Sequence, residues 1–304
     1  MARKLAIAGT ILGAAVVAVE IAARVTREAH NRQTRALGDQ LLVTVAGNGP
    51  PVIFLHGLRG SGRYWEPHVR KLTASHQIVI VDLLGFGRSP WPAESSYSVD
   101  EHLDAIHRSV APLVRGRPAT VVGHSMGAIL AAEYARVHPS EVSQLVLVNP
   151  PLFRSTAEAR AKVRGMSPMA ALFSIQPFLA RAGCDLVCAF RPLLARYAPH
   201  AQPDIPPDVA RDAVMHRWES FDRSLRNVVL GSHLEETLTS LAPLPVTIVH
   251  GTDDRISERE RLVGIAEKIG ANVYFLPGDH NLYLRRPEEV IELIEAALQR
   301  NAQR

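Results

Sequence analysis

Seven short apolar runs limit the folds open to this chain more than any other feature. Residues 41–45, 52–55, 78–81, 120–122, 145–148, 246–249 and 273–276 are rich in β-branched side chains and bounded by Gly, Pro, Asn or Asp. Helix-like segments at 64–74, 99–114, 125–137, 257–269 and 287–299 separate several of them. Continuously apolar strands joined by helices predict a mostly parallel sheet covered on both faces, a doubly wound α/β architecture. Residues 152 to about 243 break the alternation. They read as helical pieces interrupted by prolines, an insertion between strands.

The chain therefore divides into an N-terminal segment (1–25), a first core part (34–151), a helical cap or lid (152–244) and a second core part (245–301). At 304 residues, 47% hydrophobic and 21% charged, it can bury a full core. The net charge of +4 comes from arginines scattered without an aromatic-interleaved patch, which argues against a nucleic-acid partner. Cys184 and Cys188 stand four apart in a helical segment. They share a face there, and two residues cannot complete a zinc site.

The N-terminus differs from the rest. After Arg3 and Lys4, residues 5–19 carry no charge, and the run continues past Glu20 to Ala23 before Arg24 and Arg27. As a helix, residues 5–23 span about 28 Å, just enough for a hydrocarbon core of about 30 Å. The expected role is an uncleaved single-pass anchor. A cleaved signal peptide, which would make the enzyme secreted, is the alternative, although small residues at cleavage-site spacing are poor here. Arginines predominate after the run, which places the following domain on the cytoplasmic side. A polar linker is expected over residues 26–35.

Two glycine-rich places imitate phosphate sites. Gly57, Gly60 and Gly62 follow a strand, and Asp82 ends the next strand about twenty residues after Gly62, as in a dinucleotide-binding unit. The spacing is not G-x-G-x-x-G. In DLLGFGRSPW no helix follows to hold a phosphate, so it reads as a loop.

The sequence GHSMG, Gly123 to Gly127, has the form G-x-S-x-G at a strand-to-helix junction. A serine held in a strained turn brings its neighbours' backbones together, so side chains at Gly123 or Gly127 would collide. Ser125 is then an exposed nucleophile. The N–H of Met126 would face a developing oxyanion.

HGLRGSG, DLLGFGRS, GHSMGA, a helical insertion, VHGTDDRI and GDHNLYLRRPEEV occur in that order, and together they resemble the α/β-hydrolase superfamily from about Thr34 to Gln299. The resemblance implies that Leu58, after His56-Gly57, supplies the second oxyanion N–H. It implies His280 as the catalytic base among thirteen histidines. His56, His124 and His250 read as structural. Asp254 occupies the acid position of the G-x-x-D turn, with Asp253 its immediate rival. Some hydrolases carry the acid one strand earlier, where this chain has Asn149, which cannot serve.

Such a triad cleaves acyl compounds through an acyl-enzyme and requires neither metal nor organic cofactor. Leu152, Phe153, Met166, Met169, Leu172, Phe173, Phe178, Leu179, Leu186 and Phe190 make the insertion apolar, partly through its own packing. With the anchor, this favours a lipid or other hydrophobic ester, as in monoacylglycerol-lipase-like enzymes. Residues 152–200 hold seven Arg or Lys against two acids, a charge suited to anionic headgroups or simply to solvent. The same triad also serves carbon–carbon bond hydrolases and cofactor-free haloperoxidases. A non-catalytic ligand-binding module is the reading from another class, disfavoured because no triad position is substituted.

Overall fold

The β-branched runs form one seven-stranded sheet in the computed structural model. The strands are β1 (Val43–Ala46), β2 (Pro51–Leu55), β3 (Gln77–Val81), β4 (Ala119–His124), β5 (Val142–Val148), β6 (Val246–Gly251) and β7 (Asn272–Leu276). Their order is β1-β3-β2-β4-β5-β6-β7. β1 is antiparallel to β3, and every other pairing is parallel. The structure describes residues 2–34, 37–165, 177–201 and 205–302, with side chains undescribed for 2–16, 177–179, 192 and 201 as well. Met166, Met169, Leu172 and Phe173 of the expected apolar lid thus lie outside the described residues, as do the side chains of Phe178 and Leu179.

Alternation along each strand sends its side chains to two separate cores. Ile53, Leu55, Val79, Val81, Val121, Leu145 and Leu147 face one. Val52, Phe54, Ile78, Ile80, Val122, Val146 and Val148 face the other. Both faces are covered, as continuous apolar strands require.

Helix α1 spans Ala2–Thr34. α2 (Val99–Val114) and α3 (Met126–Val137) pack on the first core, where α2 starts at Ser98, whose Oγ accepts from Glu101 N–H at 3.3 Å. Between β5 and β6 the described chain is helical: α4 (Thr156–Gly165), α5 (Pro177–Ala189), α6 (Arg191–Ala201), α7 (Pro207–Asp212), α8 (Trp218–Ser224) and α9 (Leu234–Ser240). α10 (Arg259–Ile269), α11 (Leu282–Arg285) and α12 (Pro287–Ala302) complete the order. α12 covers the second core through Val290, Ile291, Ile294 and Leu298.

Two expectations need correction. The helix expected over residues 64–74 is instead two 3-10 pieces, Gly62–Tyr64 and Val69–Ala74. Pro67 lies between them and cannot donate to a helical ladder. The linker expected over residues 26–35 is helical to Thr34. His30 anchors it. Its ring stacks on Trp91 at 3.4 Å, its Nε2 lies 2.8 Å from the Ser89 carbonyl, and Arg27 pairs with Asp185 of α5 at 3.2 Å. Ala23 is fully buried. Among the described residues no helix is long and apolar enough to cross a membrane, and most of the 5–23 run has side chains outside that description. Cys184 and Cys188 are free thiols on α5.

Candidate active site

Loops at the carboxyl ends of five parallel strands converge on one point. The strand order reverses between β2 and β4, which are neighbours although β3 separates them in sequence, and a crevice opens at such a switch point. Leu58 follows β2. Ser125 follows β4, Asn149 follows β5, Asp254 follows β6 and His280 follows β7.

Ser125 joins β4 directly to α3 with φ 52° and ψ −117°, a conformation that side-chain-bearing residues rarely adopt. The flanking glycines make it possible. A Cβ on Gly123 would meet the Gly127 carbonyl oxygen at 2.2 Å, and one on Gly127 would meet the Leu55 oxygen at 2.4 Å. The first collision lies within the elbow, as the motif implies; the second is with β2. Gly57 is needed too, because a Cβ there would come within 3.2 Å of the Ser125 Cβ.

The Ser125 Oγ lies 2.8 Å from His280 Nε2, and His280 Nδ1 lies 2.9 Å from Asp254 Oδ2. Asp254 is therefore the carboxylate that meets the base. Asp253 instead uses its N–H to tie the β6 loop to the Gly278 carbonyl at 2.9 Å. Burial alone would raise the Asp254 carboxyl, but the hydrogen bond and charge of His280 and the Asn149 amide outweigh it and hold the group at about 2. It is a carboxylate at neutral pH. Ile256 N–H donates to its other oxygen at 2.8 Å.

Asn149 was the residue sequence reasoning undervalued. Excluded as the acid, it supports the acid: its Nδ2 donates to Asp254 Oδ2 at 2.6 Å and lies 3.3 Å from the Asp279 carbonyl. Its φ of 46° is a left-handed geometry that asparagine tolerates. A polar, αL-tolerant residue ending a buried apolar strand was the available signal.

The other histidines are placed as supports. His124 Nε2 lies 2.9 Å from the His280 carbonyl, which fixes the loop carrying the base; burial lowers its pKa to about 3. His56 Nε2 accepts from Leu83 N–H at 2.9 Å, so its proton sits on Nδ1, 2.8 Å from the Gly57 carbonyl. His250 is buried, and burial brings it down to about 4 despite Asp254 Oδ2 at 3.8 Å.

Among the described residues no backbone hydrogen bond engages the N–H of Leu58 or Met126. Met126 follows Ser125 in the chain, and Leu58 lines the same cavity as Ser125. Asp82, which mimicked a ribose-binding acid, accepts instead from Gly62 N–H at 2.7 Å and Arg88 Nε at 3.0 Å.

Ser125 and His280 open onto a cavity of about 370 Å³ whose walls include Leu58, Phe153, Phe221, Leu225, Val229 and Ile256. A larger cleft of about 660 Å³ lies beside the end of α1, lined by Asn31, Thr34, Trp91 and Glu101 among others. It touches no triad residue and is an open groove, so the chemistry belongs to the smaller cavity. His107, His138 and Glu141 bring possible metal ligands within 4.8 Å of one another. Their imidazoles stack at 4.3 Å and 3°, so their in-plane lone pairs run parallel rather than converging on an ion. They lie at the far end of α3 from Ser125, about 18 Å along the helix.

The alpha/beta hydrolase fold family matches residues 50–287. The probable lysophospholipase BODYGUARD 4 of Arabidopsis thaliana is 29% identical over 231 residues, 67% of this chain and 53% of that protein. The chain thus spans about half the length of this relative. In fold it is similar to E-2-(acetamidomethylene)succinate hydrolase (TM-score 0.66, 23% identity, covering 85% of this chain and 95% of that one). It is also similar to the esterase RhEst1 from Rhodococcus sp. ECU1013 (TM-score 0.65, 22% identity, covering 84% and 93%). The sheet order, the elbow and a match across most of the sequence agree: this chain belongs to the alpha/beta hydrolase fold family.

Proposed function

We propose that the protein is a serine hydrolase that cleaves the carboxylic ester of a lipid or other hydrophobic acyl substrate. The continuous chain from Ser125 Oγ through His280 to Asp254 carries the reading. Ser125 attacks the acyl carbonyl while His280 Nε2 takes its proton, and Asp254 stabilises the resulting imidazolium. The N–H groups of Leu58 and Met126 hold the oxyanion. His280 then protonates the departing alcohol. Water attacks the acyl-enzyme by the same route and regenerates Ser125. The apolar cavity and the lysophospholipase relative support an acyl substrate of lipid character.

Residues 5–23 act in this reading as a single-pass anchor that holds the domain at the cytoplasmic face, a reading supported by the uncharged run and the arginines that follow it. Its test is retention on membranes after a high-salt wash, with the domain protected from protease in intact cells. A mature chain starting near Arg24 would overturn the anchor.

For the chemistry, p-nitrophenyl esters of graded length are assayed beside a ring-cleavage diketone. Ser125→Ala, His280→Ala and Asp254→Asn should each lose on the order of 10⁴-fold in ester hydrolysis, with non-additive combinations. Fluorophosphonate labelling should vanish with Ser125→Ala. Diketone cleavage without ester cleavage would replace this reading by a carbon–carbon hydrolase.

A further inference from the structure

Arg59 stands apart from the other charges of the active-site region. It follows Leu58 in a four-residue turn closed by Gly60 N–H donating to the Gly57 carbonyl at 3.0 Å. Its φ is 64°, a geometry that glycine or asparagine would adopt with less strain. The arginine is solvent-accessible and lines the cavity that holds Ser125 and His280.

Among the described residues no ion pair engages it there. Among the described residues that line the cavity there is no Asp or Glu, and Arg59 is the one fixed cation. Acids of the surrounding segments have arginines of their own. Asp212 pairs with Arg63, Asp82 with Arg88, Asp185 with Arg27 and Glu219 with Arg217. Partial burial against the cavity wall pushes the Arg59 guanidinium's pKa down although the residue as a whole stays exposed, and the Cys184 thiol opposes that shift. That thiol is itself pushed up to about 12, chiefly by burial, so it carries no negative charge at neutral pH. A guanidinium that lines a largely apolar cavity with no acid in its wall gains from an anionic oxygen pair, which its planar fork can bind with two parallel hydrogen bonds.

We propose that Arg59 is an anion-binding subsite of the catalytic cavity, so that the ester cleaved carries a carboxylate or phosphate one arginine side chain from its scissile carbonyl. The placement follows from the chain. Arg59 is the residue after Leu58, whose N–H marks the oxyanion, so the anion and the carbonyl are read by consecutive residues. This inference rests on the esterase reading above.

The test separates the two. Two matched pairs are used: p-nitrophenyl hemiglutarate with neutral p-nitrophenyl pentanoate, and 1-octanoylglycerol 3-phosphate with 1-octanoylglycerol. kcat/KM is measured on the wild type, and Kd by calorimetry on Ser125→Ala. The anionic member of at least one pair should be favoured, the first pair reporting a carboxylate and the second a phosphate. Arg59→Asn suits the left-handed turn while removing the charge, and it should cut that preference about 10- to 100-fold. Arg59→Lys should keep much of it. No anionic preference in either pair, or one that survives Arg59→Asn, overturns the subsite. Anion binding to Ser125→Ala through Arg59 without ester turnover by the wild type would refute the esterase and leave the subsite standing.

Discussion

Mild acid should unfold this protein before it protonates the catalytic carboxylate. Six histidines are buried with lowered pKa values, burial being the leading cause in each: His30 and His250 at about 4, His102 and His124 at about 3, and His56 and His216 shifted in the same direction. In the unfolded chain each returns to about 6.5. A folded pKa below the unfolded one favours the folded state above pH 6.5, and that advantage is lost as pH falls toward the folded value, because the unfolded chain binds protons first. Between pH 7 and pH 5 each of the first four imidazoles then removes about 2 kcal/mol, together about 8 kcal/mol, and His56 and His216 add to the loss. Domain stabilities are about 5–15 kcal/mol, so a midpoint near pH 5 is expected. Asp254 has the same sign in a lower window. Its contribution is complete above about pH 4 and is lost only as pH falls toward 2. Urea titrations at pH 7, 6 and 5 measure the slope. His102→Gln, at the position facing Ser224 Oγ at 3.1 Å, should reduce the loss between pH 7 and pH 5 by about 2 kcal/mol. A loss below about 2 kcal/mol from pH 7 to 5 would refute the reasoning, because it would mean that these rings take up protons without unfolding.

Three further outcomes follow from the site. Asn149→Gly keeps the left-handed backbone but removes the amide from Asp254; it should destabilise the protein by about 1.5–3 kcal/mol in urea melts, and Asn149→Ala by about 1–2 kcal/mol more. Gly123→Ala should cut esterase activity and fluorophosphonate labelling at least about 100-fold, because its methyl meets a carbonyl at 2.2 Å, while far-UV circular dichroism reports whether the fold survives. Along an acyl series from acetate, kcat/KM should rise by up to about fourfold per methylene until the cavity fills, and Leu225→Asn should flatten the rise. A preference for acetate would exclude an acyl-binding role for the cavity.

The sheet was legible because strands buried on both faces leave an unbroken apolar signature, and all seven runs became strands. Ser125 was legible because the elbow allows few residues beside its serine, whereas His280 and Asp254 were legible only through the order of motifs that resembles the hydrolase superfamily. Position 149 was judged only as a possible acid, and an asparagine that serves the acid through space has no spacing to betray it. The helical stretch after residue 25 was missed for a similar reason. Its sequence is polar, and what holds it is a ring stack between His30 and Trp91, 61 positions apart. Pro67, inside residues 64–74, was the sign in the sequence that this stretch could not be one helix.

That stack bears on how the domain would meet a bilayer. A protein on a slack leash turns freely, and its entrance faces the lipid only part of the time. Here α1 is one helix from residue 2 to residue 34, with Arg27 fastened to the cap and His30 to the catalytic body. The eleven residues after Ala23 rise only about 16 Å. With residues 5–23 in a membrane, tilt and rotation of the helix become tilt and rotation of the enzyme. The cap helix α5 packs against α1, and Leu186 on it and Phe190 just after it are exposed. On the anchor and lipid-ester reading proposed above, the distance a lipid would travel out of its leaflet is set by the length of one rigid post.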